Sequence, residues 1–434
     1  MALSKQPYKG ARDFYPSDKR LQKYMFGVWR AVCESYGYEE YDAPILEPLE
    51  IYLAKTGEEI VNEQTYVFED RGKRKVVIRP EMTPTVSRMV AARRQELAYP
   101  LRWYSIPNLW RYERPQRGRL REHWQLNVDL FGVDNTQAEL EVISLADDIF
   151  KAFGASRDMY EIRLNSRKLV DEALGVYLGL TKQEAHDVSK LIDRMSKMER
   201  SKFVAAVDKA LSPESRQAGA AEKLLALLDL KDLKKLPPGL RGHVSVTEVE
   251  KILNMLSNRG ISNVRFDITL MRGFDYYTDI VFEVFDKHPD NNRSMLGGGR
   301  YDGLVGLFGV EPVPTVGFGW GDVTLANFLE LHRLMPDLKP ETDVYVALAG
   351  DVADEAQQPV AELRSAGLDV AVDISGRKLA AQLKAADKKG VQYVLVIGDD
   401  ELKSGEYVLK NLSTGKEQKC ELKEVIKTLK GRGR

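Results

Sequence analysis

One stretch, Leu101 to Gly132 (LRWYSIPNLWRYERPQRGRLREHWQLNVDLFG), restricts the fold of this chain more than any other. From Glu122 to Phe131 the side chains alternate, with Trp124, Leu126, Val128 and Leu130 on one face and Gln125, Asn127, Asp129 and Phe131 on the other. Successive strand residues point to opposite faces, so a period of two over that length specifies a strand. Leu101 to Trp110 is apolar and aromatic and reads as its partner strand. Pro115 and Gly118 break the pattern between them, as a long hairpin loop requires. The loop and its shoulders carry Arg111, Arg114, Arg117, Arg119 and Arg121. Guanidinium forks at that density suit phosphate, with one arginine on an α-phosphate and Glu113 accepting from a base amine. The bland alternative is a solvated surface hairpin, which most charged loops are.

The rest of the composition narrows the field. At 434 residues the chain has room for two or three domains and a large core. Its net charge of -1 names no partner, so the arginine density is local and fits a phosphate site better than a coat for nucleic acid. Cys33 and Cys420 form no CxxC pair, which argues against a zinc site or disulfide framework and for a reducing cytoplasm. His123, His186, His243, His288 and His332 make no HExxH, so no protein-bound metal is expected. The first residues lack the apolar core of a signal peptide, and no run approaches the ~18 apolar residues of a membrane span.

Taken in order, the chain opens with a helix from Ser17 or Asp18 to about Tyr36, then an extended, proline-bearing segment that turns helical near Leu49. Thr65 to Glu69 and Lys75 to Ile78 read as a hairpin. In RPEMTP, Glu81 and Thr83 share a face at period two, although Thr83 before Pro84 also reads as a helix cap. A helix over 138–153 and a strand over 160–164 follow the central hairpin. From 166 to 258 helical periodicity dominates, with a capping box at Thr181 and Glu184. Strands return at 264–268, 277–285 and 315–319. Adjacent Tyr276 and Tyr277 then point to opposite faces. The glycine-rich LGGGRYDGLVGLFG lacks both the GxxxxGK[ST] and GxGxxG forms and reads, by itself, as a structural turn. LMPDLKP is a linker, and alternating strands and helices beyond it predict a small α/β domain.

These stretches together resemble the class II aminoacyl-tRNA synthetases, in the form of the histidyl-tRNA synthetase family. RYERPQRGRLREHWQ resembles motif 2, YDAPILEPLEIY motif 1, RGFDYYT and GGGRYDGLV the two signature peptides, and VLVIGDDELKSGEYVLKNLSTGKEQ part of the anticodon-binding domain. The resemblance spans nearly the whole chain in the same order. It implies an α+β class II fold, a six- or seven-stranded antiparallel sheet flanked by helices. The catalytic domain would occupy 1–165 and 259–333, a helical insertion 166–258, a linker 334–340 and an anticodon-binding α/β domain 341–434. It implies a cytoplasmic homodimer that makes histidyl-adenylate from L-histidine and ATP with Mg2+, then charges histidine tRNA.

Site residues follow from the same resemblance. Arg111 and Arg272 would hold the α-phosphate from two sides and act in catalysis. Glu113 would read the adenine amine, Arg121 would reach the outer phosphates, and His123 stands where a phenylalanine usually stacks on adenine. Arg114 and Gln116 would touch the acceptor end of the tRNA. Glu81, Met82, Thr83 and Gln125 would hold the amino-acid moiety, Asp129 and Tyr277 would bracket the imidazole, and Tyr276 would support the wall. Pairing both ring nitrogens rejects residues that lack them without an editing domain. Thr324 replaces the motif 3 arginine of the class, leaving Arg300 or Arg293 as the cation to substitute. That replacement leans toward a rival, the ATP phosphoribosyltransferase regulatory subunit, a non-catalytic histidine-sensing relative. The intact motif 2 loop, both signature peptides and the C-terminal domain lean the other way.

Overall fold

The computed structural model describes residues 3–53, 64–116, 118–195, 198–271, 276–291 and 293–431. Arg117, Arg272, any continuation of the motif 1 helix past Leu53 and the tail at 432–434 lie outside them. The chain divides into two compact units, Met1–Asp13 with Gln22–Met335, and Phe14–Leu21 with Pro336–Arg434.

The larger unit is built on a 9-stranded sheet. Its order is Glu39–Glu40, Leu101–Ser105, Glu122–Phe131, Thr315–Gly321, Ser294–Arg300, Ile280–Asp286, Tyr160–Ser166 and Val264–Phe266, with Asn108–Trp110 on the start of Glu122–Phe131. Pairing is antiparallel from Leu101–Ser105 across to Tyr160–Ser166, and the outermost strands Glu39–Glu40 and Val264–Phe266 add on in parallel. The apolar run before the arginine loop is split rather than continuous, because Pro107 offers no N–H to the ladder.

Two expectations are corrected here. The glycine-rich stretch is not a turn: Ser294–Arg300 is a central strand. Glycine is needed there for close approach, since a Cβ on Gly298 would lie 2.1 Å from the Gly317 carbonyl oxygen. The tyrosine pair precedes its strand, which begins at Ile280. Outside a strand the rule of opposite faces lapses, and the Tyr276 and Tyr277 rings lie 4.9 Å apart in one buried cluster with Tyr301.

One face of the sheet is core. Leu126, Val128 and Leu130 are buried there with Val316, Phe318 and Trp320. Trp320 packs 4.3 Å from Phe150 of the helix Gln137–Ala152 and 6.2 Å from Trp29, and Phe150 stacks 4.1 Å from Tyr160. The alternation of Glu122–Phe131 therefore leaves its polar set on the opposite face. Helices fill the chain from Arg167–Glu172 to Val244–Asn258. The capping box forms at Thr181, and Glu184 accepts in addition from Ser212 N at 2.8 Å. That backbone donor, helped by Thr181, holds the Glu184 carboxyl down to about 2.

The smaller unit carries a 5-stranded sheet in the order Val370–Val372, Val344–Ala349, Tyr393–Gly398, Glu406–Asn411 and Glu417–Glu421. The first three are parallel and the last two add on antiparallel. Helices Gln357–Ser365, Leu379–Lys388, Asp399–Ser404 and Leu422–Lys430 accompany it.

Candidate active site

Register builds the polar face. Gln125 lies opposite Gly321, Asn127 opposite Gly319 and Ser105, and Asp129 opposite Gly317 and Trp103. On the next strand Gly297 and Gly299 lie opposite Gly319 and Gly317. Glu283 follows opposite Gly297, and Arg163 opposite Glu283. Side chains thus rise from Gln125, Asn127 and Asp129 on one side and from Glu283 and Arg163 on the other, over a floor of glycines. Above it opens a cleft of about 880 Å³ lined by Arg111, Glu113, Gln116, His123, Gln125, Arg293 and Thr324, among others.

The floor admits almost no added volume. A Cβ on Gly317 would lie 2.5 Å from Val128 O and 2.4 Å from Asp129 Oδ1, whereas a Cβ on Gly319 would meet the mobile end of Gln125, with Nε2 at 2.7 Å. Gly317→Ala is expected to lower stability by roughly 1–3 kcal/mol or more. Gly319→Ala should cost less in stability, because the flexible end of Gln125 can move aside. Thermal unfolding of the two variants measures this separation; equal destabilisation would contradict it.

The hairpin loop supplies the cleft's charged wall. Arg111 closes the hairpin with its backbone N–H on Arg121 O at 2.8 Å, and its Nε donates to Pro80 O at 2.9 Å. Glu113 is buried and pairs both carboxylate oxygens with Arg119, a partner that the sequence did not single out. Gln116 Oε1 accepts from Arg293 at 3.2 Å, and Arg114 is exposed. Burial first, then the charges of Arg111, Arg12 and Arg119, push His123 down to about 3, so its ring is neutral near pH 7. A neutral ring retains a π-face for stacking.

A tyrosine cluster lies along the same sheet face. Tyr301 donates its hydroxyl to Asp129 Oδ1, Tyr276 donates to Glu81 Oε2 at 3.2 Å, and the Tyr276 and Tyr301 rings are 5.6 Å apart. Asp129, Glu81 and Met82 are buried, and burial raises the Asp129 carboxyl to about 7 against the hydroxyl donors. Thr83 opens the helix Thr83–Ala92, whose N-cap is Met82 with no side-chain capping bond. The capping alternative for Thr83 is therefore not realised. Tyr277 lies against Gly299, where an added Cβ would come within 2.9 Å of its ring. Tyr301 is a site residue that sequence reasoning passed over, although its motif, GGGRYDG, was in view.

Two candidates fall elsewhere. Arg300 is buried against Glu139, with Nε at 2.6 Å, and donates to the Val133 and Asn135 carbonyls at 3.1 and 3.2 Å. It serves the fold and does not line the cleft. Arg121 is also outside the lining: its guanidinium stands 4.0 Å over the Tyr112 ring and donates to Tyr8 Oη at 2.9 Å and Glu113 O at 3.0 Å. Thr324 does line the cleft, and its hydroxyl donates to backbone oxygen, with Met295 O and Gly321 O each 2.9 Å away. Of the two cations named to replace the motif 3 arginine, Arg293 lines the cleft and Arg300 does not.

Comparison with known proteins agrees with this geometry. A family model described as histidyl-tRNA synthetase matches residues 10–321, and one described as anticodon binding domain matches 343–432. The chain is 44% identical to a histidine–tRNA ligase of Leptospira biflexa over 430 residues, covering 99% of this chain and 98% of that one. It is 37% identical to that of Thermoplasma volcanium, covering 96% of each. Among solved structures, histidyl-tRNA synthetase from Nostoc sp. PCC 7120 superposes with a TM-score of 0.81 over 99% of this chain and 100% of that one, at 24% identity, which speaks to fold. An ATP phosphoribosyltransferase regulatory subunit/histidyl-tRNA synthetase from Bacillus halodurans superposes at 0.74, covering 92% and 99%, also at 24%. With a family match over most of the chain and relatives aligned along nearly all of it, this chain belongs to the histidyl-tRNA synthetase family.

Proposed function

We propose that the protein activates L-histidine with ATP and transfers the histidyl group to the 3′ end of histidine tRNA. The observation that carries this is the single sheet face on which an arginine-walled cleft and the Asp129 tyrosine cluster stand side by side. ATP, entering with Mg2+ as a substrate-bound metal, would lie in the cleft with Glu113 at the adenine amine and His123 against its ring. Histidine would reach toward Asp129 and Tyr277, its amino group at Glu81 and Thr83, with Gln125 beside it. A histidine carboxylate oxygen attacks the α-phosphorus, the bond to the bridging oxygen breaks, and pyrophosphate leaves. Charge builds on the phosphoryl oxygens, where Arg111 supplies a fixed cation and Arg272, by the family resemblance, would supply a second. A hydroxyl of the tRNA terminus then attacks the carbonyl carbon, and AMP leaves.

Glu113 reads adenine only after giving up Arg119, which frees that arginine for phosphate. Arg293 takes the place of the missing motif 3 arginine, and Arg121 reaches the outer phosphates only by leaving Tyr112. Arg114 and Gln116 meet the acceptor end, the helical insertion clasps the acceptor arm, and the C-terminal unit reads the anticodon. The enzyme works as a cytoplasmic homodimer joined through motif 1, where Ile45, Leu46 and Leu53 are exposed near Val67 and Phe68. No helix among the described residues is long and apolar enough to cross a membrane.

The rival is a histidine-sensing, non-catalytic relative. The anticodon-binding match at 343–432 disfavours it. Histidine-dependent ATP–pyrophosphate exchange, followed by charging of histidine tRNA, is the expected result. Histidine binding without exchange would establish the rival instead.

A further inference from the structure

Three buried polar atoms without a hydrogen bond meet at one end of the sheet face: Asp129 Oδ2, Tyr41 Oη and Ser105 Oγ. Ser105 is fully buried, shares the face and pairs in register with Asn127, one alternation from Asp129. Tyr41 is anchored by its backbone N–H on Tyr104 O at 2.9 Å, and its ring lies 5.7 Å from that of Trp103, the register partner of Asp129. The Tyr41 hydroxyl stands close enough to Ser105 and to Asp129 to bear on the titration of Tyr41 and of Asp129, but none of the three oxygens closes a bond of good geometry. On the other side Tyr301 already occupies Oδ1. Buried unpaired polar atoms are uncommon, and a carboxylate oxygen with two such hydroxyls grouped beside it calls for a reason.

We infer that Tyr41 and Ser105 are positioning residues for histidine: their hydroxyls take the second oxygen of Asp129 and keep it a carboxylate when the imidazole N–H arrives. The inference rests on the reading that Asp129 receives a ring nitrogen. A carboxylate that accepts the imidazole proton must share its oxygens between Tyr301 and the ligand. Its remaining lone pairs then face Tyr41, whose hydroxyl in turn stands beside that of Ser105. Hydrogen bonds to the charged form favour it, and a charged acceptor binds an N–H more strongly than a neutral acid does. The neighbouring charges are few. Arg79 and Asp42, an ion pair at 3.0 Å, stand behind Tyr41, and Tyr276 with Glu81 stands behind Tyr301. Burial has already brought the Asp129 carboxyl to about 7, so small losses of hydrogen bonding fall within the working pH range.

The test uses Tyr41→Phe, Ser105→Ala and the double variant of the full-length enzyme, with Ser105→Thr as the conservative control. Histidine and ATP KM values are read from pyrophosphate exchange between about pH 6 and about pH 9, bracketing the Asp129 titration. Losing the donors should move the acid limb of the histidine profile up by about one pH unit, a rise in histidine KM of roughly tenfold near pH 6 and about fivefold near pH 7 that narrows in alkali. kcat and the ATP KM should hold, and Ser105→Thr should follow the wild type. A pH-independent rise, an equal rise in ATP KM, or no change would overturn the assignment. If the double variant fails to fold, each single variant carries the same test with a smaller shift. Wild-type protein lacking exchange would overturn the proposed function instead, and calorimetric histidine binding across the same pH range would still decide the role of Tyr41 and Ser105. Absence of histidine binding altogether would overturn both.

Discussion

Arg111→Ala is expected to slow histidyl-adenylate formation by on the order of 10²–10³-fold, the loss typical of removing one preorganised charge from a transition state. Arg111 follows the strand Asn108–Trp110, is held by its own backbone on Arg121 O, and has Nε fixed on Pro80 O at 2.9 Å. Its guanidinium is therefore aimed at the cleft before ATP arrives, and little reorganisation is left for the moment of reaction. Arg111→Lys should recover only part of the rate, because an ammonium keeps the charge and loses both the Pro80 bond and the planar fork. Since the developing charge is on phosphate, kcat for exchange should fall far more than either substrate's affinity weakens. A rise in ATP KM with kcat preserved would reassign Arg111 to ground-state binding. Thermal unfolding should barely move, as the hairpin is closed by backbone bonds that alanine retains.

What the sequence made legible follows the reach of its local signals. Alternation from Glu122 to Phe131 assigned Leu126, Val128 and Leu130 to the core and Gln125, Asn127 and Asp129 to the other face, and register then carried those assignments across the sheet. The capping box at Thr181 was likewise legible, because both partners lie within one turn. Nonlocal determinants were not. Ser294–Arg300 is glycine-rich for the sake of the strands beside it, so local composition pointed to a turn. Arg300 looked like a spare cation until Glu139, distant in sequence, was seen to hold it. Tyr41, Ser105 and Tyr301 come from separate segments and carry no motif that ties them to Asp129. Only their shared burial around one carboxylate reveals the connection.

Asp129→Asn should separate stability from function most sharply. The carboxyl is buried, and its titration is raised from the ordinary 3.8 to about 7. A raised folded-state value means that the unligated protein resists ionising this group. Burying it costs nothing below the unfolded value, and the cost grows as pH rises and is complete above about 7. That span corresponds to at most roughly 4 kcal/mol. Asparagine carries no charge and can still accept from the Tyr301 hydroxyl, so the variant should match the wild type near pH 4 and exceed it in stability at pH 8. Histidine recognition should move the other way, because the ring N–H loses a charged acceptor at a buried position. The histidine KM is expected to rise by on the order of 10²-fold or more, since truncating one partner of a buried charged hydrogen bond costs about 2–5 kcal/mol. ATP affinity should change little, Asp129 being outside the residues that line the cleft. Denaturant midpoints at acid and alkaline pH, set beside histidine titration, test both halves. Equal stability differences at the two pH values would mean that the Asp129 carboxyl titrates in the folded protein as it does in the unfolded chain, and the account of a carboxyl raised by burial would fall with that result.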